Sequence, residues 1–452
     1  MNNNYESVKL RSVPNEIARD GDKMHDSKSD ILRLGALGKT KLALFFVLSF
    51  SIFQYFPVLY LTREIWVVFV FAYVILFVIV KQCISRGLIY NSFEFYVFML
   101  ILIMPLYSAV MASIEFGQPV GIGILAQRSL VSAGASLILI YWVRDKKVTL
   151  SDVEKILPIL GWLSLALYVS MVLFINASQY GHVPGFVGGG ITEAHHFVFN
   201  DTFIIFAIFY YLIRGLNRQS MLDYMFMFPF IIYLVMIDGG RTLMASVFLV
   251  MVLVIIKRAS LFKMVLWSPI ISFFMVIVVS LAMYFQGDYI EVLENKYQAA
   301  LSVVLTGEKS DDASANARID EIGLAWPYIE KNWLFGSGDL SHQWEGGYFA
   351  KIGYFAPSDI GLIGALYMFG AIGVLIFLMQ FIFALSFLKR SSSQSAFVLV
   401  NSVAAFLLYY FIHSIFTGAY IYSANVSIVF ISILYAASMS SNDSAENSDK
   451  VV

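Results

Sequence analysis

The chain has 452 residues, of which 59% are hydrophobic and only 13% are charged, and its mean hydropathy is +0.75. Soluble domains carry about 25% charged residues, so this composition excludes a soluble globular protein and indicates a polytopic membrane protein. The formal net charge of −1 argues against a nucleic-acid partner. The single cysteine, Cys83, excludes an intrachain disulfide.

Twelve hydrophobic segments are candidates for membrane-spanning helices, since about 20 apolar residues cross a bilayer. The seventh and eighth segments are separated only by Gly239-Gly240-Arg241, so one long broken helix is the alternative to two spans. The sequence therefore predicts an all-α polytopic membrane protein with about 12 transmembrane helices. The segments lie at approximately 42–62, 64–80, 93–113, 120–142, 153–175, 197–213, 222–238, 242–256, 263–285, 358–388, 396–414 and 420–438.

Lysine and arginine in short loops predict the orientation of the spans. The N-terminal tail and every second loop are basic, whereas the intervening loops are poor in both residues. Both termini are therefore predicted to be cytoplasmic. A single helix in place of spans seven and eight would put the basic cluster at 257–263 outside, so the alternation favours twelve spans. The basic loops carry Lys81 and Arg86; Arg144, Lys146 and Lys147; Arg214 and Arg218; Lys257, Arg258 and Lys263; and Lys389 and Arg390.

This topology divides the chain into five parts. They are a disordered cytoplasmic tail (1–41), nine spans (42–285), a large outer loop (286–357), three spans (358–438) and a second polar tail (439–452). The outer loop has roughly 70 residues, far more than an ordinary connection. It carries 5 Lys and Arg residues against 11 Asp and Glu residues. An anionic substrate there would need a few individually placed arginines rather than an overall positive field.

The large loop contains a predicted amphipathic helix. Its apolar residues Ile319, Ile322, Trp326, Ile329 and Trp333 are spaced by 3, 4, 3 and 4 positions, as on one helical face. Such a helix lies at the membrane interface with tryptophan at headgroup depth. A surface helix that only anchors the loop is the alternative to a functional helix that presents Arg318 from its first turn.

Ionisable residues follow this helix. Asp339, His342 and Glu345 come directly after it, and Asp359 lies just inside the next span. Ionisable groups at membrane depth are costly and usually functional.

Two further arginines are candidate binding residues. Arg241 begins the eighth span after two glycines, where free backbone N–H groups at an outward-facing helix start suit a phosphate. The alternative is an ion pair with Asp238. Arg128 lies inside the fourth span, where it either lines a polar cavity or pairs with a carboxylate across the bundle.

Histidines occur at two other predicted outer positions. Glu193, His195 and His196 resemble a fragment of a metal site, but their spacing matches no standard zinc motif, which favours interfacial histidines without a ligand role. His413, near the outer end of the eleventh span, faces either the site or the interface.

Three features resemble the O-antigen polymerase and O-antigen ligase superfamily of bacterial envelope glycan enzymes. They are the many spans with enlarged third and fifth outer loops, the stretch "DGGRTLMAS" around Arg241, and the block from Arg318 through "WPYIEKNWLFGSG" to "DIGLIGALYMFGAIG". The resemblance covers roughly 177–373.

The resemblance implies a GT-C-like, inverting glycosyltransferase that uses neither a metal ion nor a cofactor. In such enzymes arginines hold the diphosphate of an undecaprenyl-linked oligosaccharide, and preorganised cations suit the charge that develops on this leaving group. Arg241 and Arg318 are the matching contacts here, with Arg128 as a third candidate. His342 and Glu345 are candidates for the general base.

The chain also departs from the family pattern. The third outer loop has no arginine, and the region after the large-loop helix reads "SHQWEGGYFAKIGYFAPSD" without the His-Asn pair typical of ligases. The second departure favours a polymerase over a ligase. The resemblance then implies a bacterial inner-membrane protein, with the bilayer, the lipid-linked glycan and a chain-length regulator as partners. A ligase, a flippase or transporter, and a scaffold are the alternatives, although no internal repeat of the transporter kind is evident.

Overall fold

A computed structural model describes residues 36–51, 60–85, 92–176, 187–189, 195–197, 199–238, 240–258, 298, 309, 313–391 and 397–449. This part of the chain is almost entirely helical, which confirms the predicted all-α class. The exception is a two-stranded antiparallel pair, β1 (Val187–Gly189) and β2 (His195–Phe197), in which Gly188 lies opposite His196.

The helices are numbered in chain order. They are α1 (Ala36–Ser49), α2 (Tyr60–Ser85), α3 (Ser92–Phe116), α4 (Val120–Ala126), α5 (Arg128–Arg144), α6 (Leu150–Phe174), α7 (Thr202–Arg218), α8 (Met221–Tyr233), α9 (Arg241–Arg258), α10 (Ala313–Asn332), α11 (Gly347–Lys351), α12 (Gly361–Arg390), α13 (Phe397–Thr417), α14 (Ala419–Tyr422) and α15 (Ala424–Asp449).

Several of these helices are suited to a membrane. Within the described residues, four stretches are long and apolar enough to cross one: Ser92–Phe116, Leu150–Phe174, Pro357–Arg390 and Phe397–Thr417. The pair α4 and α5, bent by 57°, makes a fifth when it is counted as one span. Described helices overlap eleven of the twelve predicted segments, and the ninth, 263–285, lies outside the described residues. The protein is therefore membrane-embedded, and the count of twelve spans stays a prediction.

The element boundaries refine the predicted segments. The seventh and eighth segments are two helices, because α8 ends in a π-helical turn at Leu234–Asp238 and α9 begins at Arg241. Helix α1 begins inside the predicted N-terminal tail, and α15 continues to Asp449, beyond the predicted start of the C-terminal tail. Extending an existing helix adds one hydrogen bond per residue ordered, so an apolar helix can continue into polar sequence.

The centre of the bundle is an aromatic cluster. Phe430 of α15 packs against Phe406 of α13 at 4.2 Å between ring centroids and against Phe206 of α7 at 5.5 Å. Phe50, just after α1, also stacks on Phe430 at 5.5 Å between ring centroids. Helix α7 is buried along nearly its whole length between α6, α8 and α13. This core fixes the positions of the helix ends that surround the candidate site.

Ion pairs between neighbouring helices lie at the end of the bundle that was predicted to be cytoplasmic. Arg144 at the end of α5 pairs with the buried Glu94 of α3, and Arg214 near the end of α7 pairs at 3.0 Å with the buried Asp223 of α8. The basic residues that predicted the membrane orientation therefore also form ion pairs between helices. A buried carboxylate is costly without such a cationic partner.

Helix α12 is broken at Gly370, and residues 333–338 pass along the break. Gly370 has φ +61° and ψ −174°, which is not helical. The break leaves backbone groups without helical partners, and the passing chain pairs with them. Ser337 N donates to the Tyr367 carbonyl at 2.7 Å, Gly338 N donates to the Met368 carbonyl at 2.9 Å, and Ala371 N donates to the Trp333 carbonyl at 2.9 Å.

Two glycines permit this close backbone contact. A Cβ atom on Gly370 would lie 2.4 Å from the Leu334 carbonyl, and one on Gly336 would lie 2.5 Å from the backbone nitrogen of Gly370. Both residues have positive φ, which glycine adopts without strain. The stretches "WPYIEKNWLFGSG" and "DIGLIGALYMFGAIG" are therefore in direct contact at these glycines.

We expect Gly370→Ala to lower the free energy of unfolding by about 2–4 kcal/mol, because the added methyl group meets backbone atoms and the left-handed conformation becomes strained. Thermal unfolding of the purified protein in detergent measures the change. Gly323→Ala is the matched control, since Gly323 lies in α10 with open space around its Cα. The control should be neutral or stabilising by up to about 1 kcal/mol, and a Gly370→Ala protein as stable as wild type would contradict this account of the break.

Candidate functional site

Residues 313–360 pack on one end of the bundle, where several helix ends meet. This end is called the loop end. Lys331 of α10 pairs at 2.7 Å with Glu115 at the end of α3. Gly361, at the start of α12, lies so close to the end of α13 that a Cβ on it would be 2.3 Å from the Ile415 carbonyl oxygen. All of these helix ends were predicted to lie on the outer face, and the structure places them together.

A cluster of three charged residues lies between α10 and the 3-10 turn Pro357–Ile360. Glu321 is only 1% exposed and faces this turn, where the Ala356 backbone hydrogen-bonds to its carboxylate. Arg318, one helical turn earlier, is exposed and interacts electrostatically with Glu321, as does Asp359 of the turn. Glu321 Oε2 has no hydrogen-bond partner among the described residues.

Burial, and after it the negative charge of Asp359, raise the pKa of Glu321 from its usual value of 4.5 to about 7. The Arg318 guanidinium and the Ala356 backbone oppose this rise. A carboxyl group with a pKa near the working pH can both take up and release a proton, which suits general acid–base chemistry.

A cavity of 280 Å³ lies between the starts of α7 and α9 and the end of α13. Its polar groups include Asp201, which is 6% exposed and accepts a 2.7 Å hydrogen bond from Tyr233, and His413, whose ring stacks on Tyr409 at 5.5 Å. The cavity is lined by Phe199, Asn200, Asp201, Thr202, Ile205, Leu243, Phe406, Tyr409, Tyr410, His413, Ala419, Ser423 and Val426. His413 therefore faces the cavity rather than the membrane interface.

The cavity and the charged cluster are linked through the end of α13. His413 lies two residues before Ile415, whose carbonyl is in contact with Gly361, and Asp359 lies two residues before Gly361. The turn that covers Glu321 thus packs on the helix end that forms one wall of the cavity.

Arg241 begins α9, and the next two residues lie at the cavity wall. Leu243 lines the cavity, and the backbone of Thr242 is hydrogen-bonded to His413. The side chains of Arg241 and Asp238 lie outside what the structure describes. Phosphate binding and an ion pair with Asp238 therefore both stay predictions.

Arg128 lies at the bend between α4 and α5. Its Nε donates to Glu64 of α2 at 2.8 Å, and each side chain is about one third exposed. The structure thus shows the ion pair across the bundle, one of the two alternatives for this arginine. Arg128 is not among the residues that line the cavity.

His342 and Glu345 are exposed residues in the chain between α10 and α11. Glu345 is 60% exposed at its side chain and pairs at 2.6 Å with Lys351. The His342 ring packs edge-on against Tyr348 at 6.0 Å. Neither residue lines the cavity, so their role as general base stays a prediction.

Asp339 connects the loop to the bundle. Its carboxylate accepts hydrogen bonds from Tyr348 Oη at 2.6 Å and from Gln127 Nε2 at 2.9 Å, and its backbone N–H donates to Ser108 Oγ at 3.0 Å. Burial raises the pKa of Asp339, and the bonds from Tyr348 and Gln127 oppose the rise. Because both oxygens have protein partners, these contacts position the loop against α3 and the bend after α4.

The predicted apolar face of α10 is only partly buried in the structure. Ile329 is buried with Ala325, whereas Trp326 and Trp333 are 51% and 61% exposed. The buried face also contains Glu321, which the sequence analysis left out as a site residue. Its position four residues before Ala325 and eight before Ile329 puts it on the same helical face, and this spacing is the signal that could have identified it.

Among the side chains that the structure describes, no three His, Cys, Asp or Glu residues converge as metal ligands. The side chains of Glu193, His195 and His196 lie outside that part. Comparison of the chain with models of known protein families finds no match, and no curated protein matches it in sequence. The function must therefore be argued from these residues.

We expect Glu321→Gln to stabilise the protein at neutral and alkaline pH. A carboxyl group whose pKa is higher in the folded than in the unfolded state binds more protons when folded. Wild-type stability should therefore be fully retained below pH 4.5, fall as the pH rises to about 7, and stay low above that. The variant should flatten this decline and gain at most about 3 kcal/mol above pH 7.

Thermal unfolding across this pH range measures the effect. Asp320→Asn is the control, because Asp320 is an exposed neighbour paired with Lys309 at 2.7 Å, and its removal should leave the decline in place. Parallel pH curves for wild type and Glu321→Gln would show that Glu321 does not titrate near neutrality.

Proposed function

We propose that this protein is a polymerase of a bacterial surface polysaccharide. It joins undecaprenyl-diphosphate-linked repeat units on the periplasmic face of the inner membrane, by inverting glycosyl transfer without a metal ion. The observation that carries the proposal is the meeting of three features at the loop end: the exposed Arg318, a carboxyl group with a pKa of about 7, and a cavity bordered by the helix that Arg241 begins. The twelve-span, GT-C-like architecture with both termini in the cytoplasm belongs to the same proposal.

The arginines bind the leaving group in this mechanism. Arg318 and Arg241 contact the diphosphate of the donor, and their fixed charges stabilise the negative charge that develops as the lipid diphosphate departs. A planar guanidinium can bond two phosphate oxygens at once, which a lysine cannot do. Arg128, already paired with Glu64, is the weakest of the three arginine candidates.

The reaction is a single displacement. An acceptor hydroxyl forms a new bond to C1 of the donor sugar, the bond from C1 to the diphosphate oxygen breaks, and the hydroxyl proton passes to a base. Glu321 is better suited as this base than Glu345, because a base is most effective with a pKa near the working pH and Glu345 is exposed and paired with Lys351. The turn that covers Glu321 must move for the acceptor to reach it.

A transporter is the second candidate, and one observation favours it. Transporters place binding sites at discontinuous helices, and this chain has a break at Gly370 and a 57° bend between α4 and α5. Asp339 lies between these features, but its carboxylate is bonded to Tyr348 and Gln127 rather than open to a substrate. This arrangement supports a structural use of both features.

A gel of surface polysaccharide from a strain lacking the gene separates the candidates. A single repeat unit on the lipid core with no ladder is the result expected for a polymerase. Absence of repeat units from the core would instead indicate a ligase or a flippase. A ligase defect accumulates lipid-linked polymer on the outer face, whereas a flippase defect accumulates single units on the inner face.

We expect Arg318→Ala and Arg241→Ala to abolish chain growth while the protein still inserts, because each removes a cation from the leaving group. Lysine at either position should restore little, since it lacks the bidentate fork. Complementation of the deletion strain, read as the polysaccharide ladder, measures the effect, and immunoblotting of membranes measures insertion. Lys309→Ala removes another exposed loop cation and should leave the ladder intact. Normal ladders from both alanine variants would reject this site.

A further inference from the structure

We infer that the cavity at the loop end takes an uncharged sugar ring, the one joined directly to the diphosphate of the donor. The inference rests on the proposed function and assigns its parts: the diphosphate stays at the start of α9, and the first sugar enters the cavity. His413 and Asp201 supply polar contacts to this sugar, and Tyr409 supplies an aromatic surface.

The charge of the cavity wall argues against an anionic occupant. Among the side chains that the structure describes, the lining residues include the carboxylate of Asp201 and no lysine or arginine. A phosphate group there would be desolvated next to a buried negative charge without a cation to offset it. Hydroxyl groups suit the same wall, because they donate to carboxylate and imidazole acceptors and need no counter-charge.

His413 lines this wall and keeps a buried nitrogen without a hydrogen-bond partner among the described residues. The imidazole donates a hydrogen bond to the Thr242 backbone, and its Nδ1 is buried without a hydrogen-bond partner among the described residues. A neutral imidazole has one donor nitrogen and one acceptor nitrogen, so donation by Nε2 leaves Nδ1 as the acceptor. Buried polar atoms without partners are uncommon in folded proteins, and a ligand hydroxyl would satisfy this one.

The shape of the cavity is also suited to a single ring. Its volume of 280 Å³ lies just below the usual range of about 300–1,000 Å³ for small-molecule sites, which leaves room for one monosaccharide but not for a repeat unit. Tyr409 and His413 both line the cavity and stack on each other with 17° between the ring planes, so this wall carries aromatic surface. Apolar C–H faces of sugars can pack against such a wall.

The position of the cavity relative to Arg241 sets the order of the groups. Leu243 lines the cavity, two residues after the arginine that begins α9. A diphosphate bound at this helix start therefore has its first sugar at the cavity mouth. The rest of the glycan would extend toward the exposed chain between α10 and α11.

Two binding probes test the assignment on the full-length protein in lipid nanodiscs. One is undecaprenyl diphosphate, and the other is the same lipid carrying the repeat unit isolated from the native host. His413→Gln keeps an amide donor for the Thr242 backbone and lacks the Nδ1 acceptor. We expect it to bind the glycan-carrying lipid about three- to tenfold more weakly and the bare lipid as wild type does.

A second variant tests the volume of the cavity without touching its polar groups. Ala419→Leu fills part of the cavity and should weaken binding of the glycan-carrying lipid at least as much, again without affecting the bare lipid. Phe416→Ala is the control at the end of α13, because Phe416 is 54% exposed and does not line the cavity. It should bind both probes as wild type does, and melting temperatures verify that every variant is folded.

The outcomes separate the two proposals. Unchanged binding of the glycan-carrying lipid in both cavity variants, or equal loss for both lipids, would overturn the sugar assignment while leaving the polymerase proposal intact. Failure of the wild-type protein to bind either lipid would reject the proposed function, and the sugar assignment with it.

Discussion

Backbone hydrogen bonds between residues 333–338 and the break in α12 hold the loop end together. Because the break exposes amide and carbonyl groups inside the bundle, they must be paired, and the bonds made by Trp333, Ser337 and Gly338 pair them. The same contacts fix the chain that leaves α10, so the position of Arg318 and Glu321 depends on glycine at positions 336 and 370. The proposed binding residues of the long loop are thereby attached to a membrane-spanning helix through backbone hydrogen bonds.

Polar groups in this bundle have two different uses. Asp339, Gln127 and Tyr348 satisfy one another and, with Ser108, join the loop to α3 and to the bend between α4 and α5. Glu321 and His413, in contrast, each keep a buried atom without a partner among the described residues. Satisfied networks rigidify a fold, whereas an unsatisfied buried group in a native structure calls for an explanation, such as a role in a reaction. Arg214, Asp223 and Tyr367 also keep such atoms, so Glu321 and His413 are marked out by their position at the loop end together with this property.

The local environment also separates the two carboxyl groups of the large loop that were considered for proton transfer. Glu345 is 60% exposed at its side chain and paired with Lys351. Glu321 is covered by the 3-10 turn and lies near Asp359, so its charged form is disfavoured. Both residues occur in the same stretch of sequence within 25 positions of each other, and only their surroundings give them different chemistry.

The sequence by itself determined the all-helical, membrane-embedded class, the positions of most helices and the helical nature of the Arg318 segment. These properties depend on hydrophobicity and helical periodicity, which are local in the chain. It also identified His413 and the Arg241 helix start as places of interest, without connecting them. Only the tertiary structure decided that these two border one cavity, that Arg128 pairs with Glu64, and that Glu321 is buried while Trp326 is exposed. Each of these depends on contacts between segments far apart in sequence, which a single sequence does not encode in any local pattern.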